Sequence, residues 1–346
     1  MKLNEALNEA LKLEMRADKS VVSIGLGHND PKRIFNTTSG LLEEFGENRA
    51  FDMPISENSV TGICVGLALQ GFKPVLSHQR LDFALLSMDQ IVNSAAKWGF
   101  MFGNMKKIPI VVRMVIGRGW GQGPTHSQSL QSWFAHIPGL KVVMPSSPKN
   151  AKGLLAASIQ DPNPVIFLEH RWLHNIEGEV PESRYFSEIG KPEIVRKGKD
   201  FTVVASSLMV TEALKAAAHL EKNGIGVEII DVTCLRPLKI STIVESVKKT
   251  KRLIVLDNAQ AIGSFSSEII TQVCLKCTSD LVCNPIRIAS KDIPFPTSSF
   301  LTKNIYADAN SIIEEINSAL GTKYPLIPRD HRVPHDVPGN WFAGPF

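Results

Sequence analysis

The residue type with the clearest chemical promise is a carboxylate, Glu57. It is the single acid of Pro54-Ile55-Ser56-Glu57-Asn58, which separates a charged segment (43–52) from an apolar, glycine-punctuated one (60–71). A carboxylate at the edge of a buried helix is either a favourable charge at the helix N-terminus or a reactive group. Two later stretches bear on that choice. Asp82-Phe83-Ala84 puts an aromatic at the start of a helical pattern, where core packing is its ordinary role. Gly123-Pro124-Thr125-His126 puts a histidine after a glycine-rich loop, 117–123. An imidazole exposed there can hydrogen-bond a developing oxyanion or relay a proton near neutral pH. Arg80 and Arg118 carry the fork that recognises carboxylate or phosphate; plain surface charge is the alternative. Asp161-Pro162-Asn163-Pro164 reads as a turn. Cys274-x-x-Cys277 has the spacing of a metal or redox pair. A structural zinc site needs four ligands, however, and no second pair stands nearby. The helical pattern over 269–275 instead makes Cys274 a buried-face residue.

Placing these groups is the task of alternating strands and helices. Apolar runs of strand length occur at 21–27, 49–53, 73–77, 108–114, 140–144 and 164–169. Helical periodicity appears near the N-terminus and over 41–45, 59–70, 83–98, 127–135 and 147–160, the last with Lys149 and Lys152 on its polar face. Alternation of this kind predicts a parallel sheet covered on both faces. A polar, Pro- and Gly-bearing stretch, 176–199, reads as a linker. The alternation then restarts, with strands at 201–206, 227–232, 252–257 and 285–289 and helices at 210–223, 240–250, 268–275 and 311–320. The fold class is therefore α/β in two domains, each a mostly parallel sheet covered by helices. They span 1–175 and 200–322, and a Pro-rich arm, 323–346, follows. Trp341 and Phe342 in that arm suggest docking on a partner subunit. Open parallel sheets bind ligands at the C-terminal ends of their strands. Glu57, 81–83 and 120–126 all follow strands, so all three border one expected cleft.

A length of 346 residues suits two domains. The net charge of +4, without a long Lys/Arg run, argues against nucleic acid as a partner. No stretch approaches the ~20 uncharged apolar residues of a membrane span. The first residues lack the apolar core of a signal peptide, so a cytoplasmic protein is expected.

Taken in order, several stretches resemble the β-type E1 subunit of thiamine-diphosphate-dependent 2-oxoacid dehydrogenases, which corresponds to the C-terminal half of transketolase-like enzymes. They are Pro54-Ile55-Ser56-Glu57, the run from Asp89 to Lys97, Pro109-Ile110-Val111-Val112-Arg113 and Thr125-His126-Ser127-Gln128. Pro138-Gly139-Leu140, Asn163-Pro164-Val165, Leu235-Arg236-Pro237-Leu238 and Asp292-Ile293-Pro294-Phe295-Pro296 follow. The resemblance covers about residues 3–320. It implies that the first domain is a transketolase-like pyrimidine-binding domain and the second a transketolase C-terminal-like domain. It implies cofactor contacts at Ile55, Glu57, Gln79 and Phe83. Glu57 would hydrogen-bond a ring nitrogen of the aminopyrimidine and favour the tautomer whose exocyclic nitrogen acts as a base. Phe83 would stack on that ring, and His126 would act beside Glu57 as a catalytic group. Ile110, Ser158, Asp161 and Asn163 match a region where some relatives hold a monovalent cation such as K+, mostly by backbone oxygens.

The family binds diphosphate and Mg2+ through a Gly-Asp-Gly segment followed by Asn, and this sequence has no such segment. An α-type partner carrying that half-site, in an α2β2 heterotetramer, is implied, with a lipoyl-bearing acyltransferase as a further partner. Three departures concern the substrate. The first strand leads into Gly25-Leu26-Gly27-His28 rather than acids. His78-Gln79-Arg80-Leu81-Asp82 replaces an apolar, aromatic segment. The His126 loop is nearer to transketolase, with Gln122 where transketolases have an acid. His78, Arg80 and Gln122 are therefore the candidate substrate contacts. Two alternatives to the E1-type reaction remain: a split transketolase-like two-carbon transferase acting on a sugar or specialised metabolite, and a non-catalytic scaffold paralogue.

Overall fold

The computed structural model describes residues 1–329 and 334–338; Trp341 and Phe342 lie outside these. Twelve strands are present among the described residues: β1 (Val21–Gly25), β2 (Ala50–Asp52), β3 (Lys73–His78), β4 (Val111–Ile116), β5 (Lys141–Val143), β6 (Val165–His170), β7 (Glu193–Arg196), β8 (Phe201–Ala205), β9 (Val227–Asp231), β10 (Cys234–Arg236), β11 (Leu253–Gln260) and β12 (Ile286–Ser290). The helices are α1 (Leu3–Ala17), α2 (Leu41–Phe45), α3 (Glu57–Leu69), α4 (Leu81–Ala84), α5 (Ala96–Met101), α6 (Gln131–His136), α7 (Pro148–Gln160), α8 (Leu208–Glu221), α9 (Ser241–Thr250), α10 (Phe265–Cys277), α11 (Ser299–Thr302) and α12 (Ala309–Leu320).

They build two α/β sheets. The first runs β10-β5-β6-β4-β3-β1-β2 and the second β12-β11-β8-β9-β7. Every pair is parallel except β10 on β5 and β7 on β9. β1, β4 and β6 are buried along their whole length, as expected of strands covered on both faces. α1 offers Leu3, Leu7 and Leu11, all buried, and packs on α7. α7 starts where Ser147 Oγ accepts from Asn150 N (3.2 Å) and Pro148 takes the first helical position. No helix among the described residues is long and apolar enough to cross a membrane.

Four expectations need correction, and one strand was not expected. The helix expected over 83–98 is not one α-helix. Leu85–Ser87 is 3-10 and Gln90–Ala95 is a π-helix, between α4 and α5. Its buried residues Leu81, Ala84 and Ser87 are spaced by three, and Ser87, Ile91 and Ala95 by four. Such spacing reads as one helix although the turn tightens and then widens. The segment 176–199 is not wholly linker, since β7 pairs with β9. Lys152 is not on a polar face but buried, paired to Glu9 (2.7 Å) and donating to Pro181 O (2.6 Å). Of the two close cysteines, Cys277 is the buried one and Cys274 is half-exposed. Finally, β10 returns the chain from the second half to the first sheet, which no apolar run announced.

The halves also meet through polar contacts. Gln131 Nε2 donates to Asp257 Oδ1 (2.6 Å), and Arg236 Nη1 to Ala135 O (2.8 Å). Ser146 Oγ donates to Asp231, whose carboxyl is pushed up to about 7 by burial, with Ser146 acting against the shift.

Candidate functional site

Glu57 opens α3. Its carbonyl accepts from Thr61 Oγ1 (2.7 Å), and the residue is only 7% exposed. Its carboxylate takes no hydrogen bond from the described residues, so it does not cap the helix by accepting a backbone N–H. It is an unpaired acceptor, among the described residues, at the positive end of a thirteen-residue helix. Ile55, two residues earlier, is exposed.

α3 packs against α4, which carries Phe83. The Phe83 ring meets the His126 imidazole edge to face, with centroids 5.3 Å apart and planes at 89°. Two hydrogen-bonded ties hold the His126 segment to the residues before Phe83. Arg80 Nη1 donates to His126 O (2.8 Å), and Asp82 Oδ1 accepts from Gln128 Nε2 (2.8 Å). Thr125 Oγ1 lies 3.1 Å from His126 Nδ1. Arg80 is buried, contrary to the surface reading; burial lowers its pKa and Asp82 opposes that. Its Nη2 has no partner among the described residues. Burial likewise raises the Asp82 carboxyl, against the Gln128 hydrogen bond.

The remaining predicted positions surround this group. Gln79 Nε2 donates to Leu26 O (3.1 Å) and so joins the loop after β3 to the loop after β1. His78 is the buried last residue of β3; burial holds its imidazole down at about 4, and its Nε2 has no partner among the described residues. It is a neutral ring. Gln122 closes a turn through its N–H to Gly119 O (3.3 Å) and is half-buried. The geometry thus brings together Arg80, Phe83 and His126 directly, with Glu57 on α3, which packs on the helix that carries Phe83.

Ile110, Ser158, Asp161 and Asn163 meet at one corner of the first sheet. Asp161 pairs with Lys141 and accepts from Asn163 N (2.9 Å) and Nδ2 (3.0 Å). Ile110 O accepts from Val165 N (2.9 Å), and Ser158 O from Asp161 N (3.2 Å). These bonds account for the turn at 161–164. Among the described residues no cluster of three His, Cys, Asp or Glu is placed to hold a metal ion.

Two features escaped the sequence. Arg113 and Glu169, in the middle of the first sheet, form a fully buried bidentate pair (2.6 and 3.0 Å), and His174 Nε2 lies 3.3 Å from the same carboxylate. Burial raises Glu169, but Arg113 and His174 more than reverse it and hold the carboxyl down at about 2. A charged residue in an apolar strand demands a partner, and the opposite charges at 113 and 169 were the available signal. The second is Arg118. Rather than lying on the surface it stands between Tyr306 (4.6 Å) and Trp172 (5.4 Å) and donates from Nη2 to Ala307 O (3.1 Å).

Comparison with known proteins agrees with this architecture. Residues 1–175 match the transketolase pyrimidine-binding domain, and residues 190–312 the transketolase C-terminal domain. The pyruvate dehydrogenase E1 component subunit beta of Rhizobium meliloti is 41% identical over 319 residues, 92% of this chain and 69% of that protein. The mitochondrial pyruvate dehydrogenase E1 component subunit beta of Pisum sativum is 39% identical over 330 residues, 94% of this chain and 92% of that protein. The acetoin:2,6-dichlorophenolindophenol oxidoreductase subunit beta of Cupriavidus necator is 42% identical over 296 residues, 81% of this chain and 87% of that protein. Among solved structures, a split-gene transketolase, described as an inactive beta4 tetramer, superposes with a TM-score of 0.75 at 21% identity. It covers 93% of this chain and 99% of its own, and supports the fold. With both domain models matched in order and relatives 39–42% identical along most of its length, the chain belongs to the family of thiamine-diphosphate-dependent E1 β subunits.

Proposed function

We propose that this chain is the β-type subunit of a heteromeric enzyme that decarboxylates a 2-oxoacid and passes on the acyl unit. The supporting observation is Glu57, a largely buried residue whose carboxylate takes no hydrogen bond from the described residues, whereas Asp82 is tied to Gln128 and Arg80 to the His126 carbonyl. An unpaired carboxylate on α3 and a half-buried aromatic on α4, the helix packed against it, suit the aminopyrimidine of thiamine diphosphate. When bound, that cofactor supplies the carbon nucleophile for decarboxylation. Glu57 holds a proton at the ring nitrogen, and Phe83 packs on the ring, with Ile55 and Gln79 at its border. His126, oriented through its own carbonyl by Arg80, hydrogen-bonds or protonates the substrate oxygen. His78, Arg80 and Gln122 border the substrate, where the free Nη2 of Arg80 meets an anionic group.

The diphosphate and Mg2+ come from an α-type partner, in an α2β2 assembly, and the acyl unit goes to a lipoyl-bearing protein. We read 1–175 as the first domain and the expected 200–322, extended back to include β7, as the second, followed by the arm 323–346, in the cytoplasm. Ile110, Ser158, Asp161 and Asn163 hold a monovalent cation by backbone oxygens, each carbonyl having a second lone pair free. One observation favours a two-carbon transferase instead: the buried Arg80 suits the phosphate of a sugar.

The test is reconstitution with the α-type partner and assay against 2-oxoacids and ketose phosphates. Glu57→Gln should lower kcat by about 100-fold or more, the range for a positioned proton-transfer group. Unchanged turnover overturns the assignment of Glu57. Turnover of ketose phosphates alone overturns the 2-oxoacid reading.

A further inference from the structure

A second cavity, of about 450 Å3, lies where loops from both sheets converge. Arg118 follows β4, Trp172 follows β6 and Leu208 follows β8; all three line it, together with Tyr306. It is thus at the C-terminal ends of parallel strands of two sheets, the usual place for a ligand in such folds.

Its polar lining is unevenly satisfied. Glu212 accepts from Lys215 (2.8 Å) and from Ala309 N (3.0 Å), and Asp308 pairs with Arg329 (2.8 Å). Two cations on the lining, Arg118 and Lys303, have no carboxylate partner among the described residues. Arg118 is 6% exposed, and its Nε and Nη1 have no hydrogen-bond partner there. A buried guanidinium with two idle donors is expensive unless something accepts from them. The first turn of α8, a fourteen-residue helix, lines the same space and adds its positive end.

We propose that this cavity binds an organic oxyanion, a phosphate ester or a carboxylate, which accepts from Arg118 Nε and Nη1. Trp172, Leu173 and Leu208 supply the apolar wall for its carbon body. The space is too large for a bare inorganic ion, so a metabolite-sized ligand fits better. The site is separate from Glu57, Phe83 and His126 and does not rest on the reaction proposed above.

The test is calorimetry on the full chain with phenyl phosphate and with benzoate, each against chloride at matched ionic strength. At least one should bind saturably at a single site, and which one does separates the phosphate source from the carboxylate source. Arg118→Gln should weaken that binding at least tenfold. Because Arg118 also joins the two halves, its circular dichroism is checked. Thr211→Glu, which adds a carboxylate to the cavity wall, should weaken binding as much without touching Arg118. No saturable binding above the chloride control overturns the proposal. So does unchanged binding in Thr211→Glu together with unchanged binding in a folded Arg118→Gln.

Discussion

At the scale of single residues, burial explains most of the chemistry. Glu57, His78, Arg80, Arg118 and Glu169 are all buried, yet they behave differently because their partners differ. Glu169 has Arg113 and stays ionised; His78 has an unpartnered ring nitrogen and stays neutral. A ring held down at about 4 is protonated more readily in the unfolded chain, near pH 6.5. Stability from His78 is therefore present above pH 6.5 and lost as pH falls towards 4, by up to about 3 kcal/mol. Unfolding by urea at pH 7, 5.5 and 4 measures this when wild type and His78→Asn are compared. Their stability difference should shift against the wild type as pH falls, and a constant difference would refute it. Other titrating groups, Asp231 among them, cancel in that comparison. Glu57, Phe83 and His126 could be singled out as candidates in the sequence because ordered motifs surround them. The pairing of Arg113 with Glu169, and the burial of Arg80 and Arg118, were not, because periodicity reports a face and not a partner.

At the scale of elements, the sequence was most readable where apolar runs are long. Apart from β10, the strands of the first sheet lie within a few residues of their expected places. Helices read less well where the turn changes width. The 3-10 and π segments between α4 and α5 keep an apolar rhythm, so only the backbone reveals them. Where the π segment ends, Ala96 O faces Gly139. A β-carbon at Gly139 would lie 1.9 Å from that oxygen, and Gly139 has φ +99°. Left-handed backbone costs about 1–2 kcal/mol and overpacking about 1–3 kcal/mol. Gly139→Ala should therefore lower stability by about 2–5 kcal/mol, read as a lower Tm in calorimetry. A Tm within a degree of wild type would show that this contact yields freely. The Pro138-Gly139-Leu140 motif is thus explained by a close backbone approach.

At the scale of the whole molecule, the two sheets are less independent than an alternating pattern with a polar middle suggests. Gln131–Asp257, Ser146–Asp231 and Arg118–Ala307 all cross between the halves. Such contacts are long-range, and no local pattern encodes them. The candidate site lies wholly on the first half, yet the loop running from β4 to His126 is held through Arg118 by the second. The family assignment was readable because it rests on ordered local motifs, whereas this mutual support was not.

β10 has a consequence for any attempt to divide the chain. Without it, β5 would present an open row of backbone donors and acceptors at the margin of the first sheet, and such margins recruit other strands. A fragment of residues 1–199 should therefore self-associate, seen as oligomers in size-exclusion chromatography with light scattering. Adding a synthetic 230–240 peptide should shift it towards the monomer. A monomeric, well-folded fragment would mean that the strand is dispensable. The second half thus also acts as a chaperone in cis, sealing an adhesive border of the first.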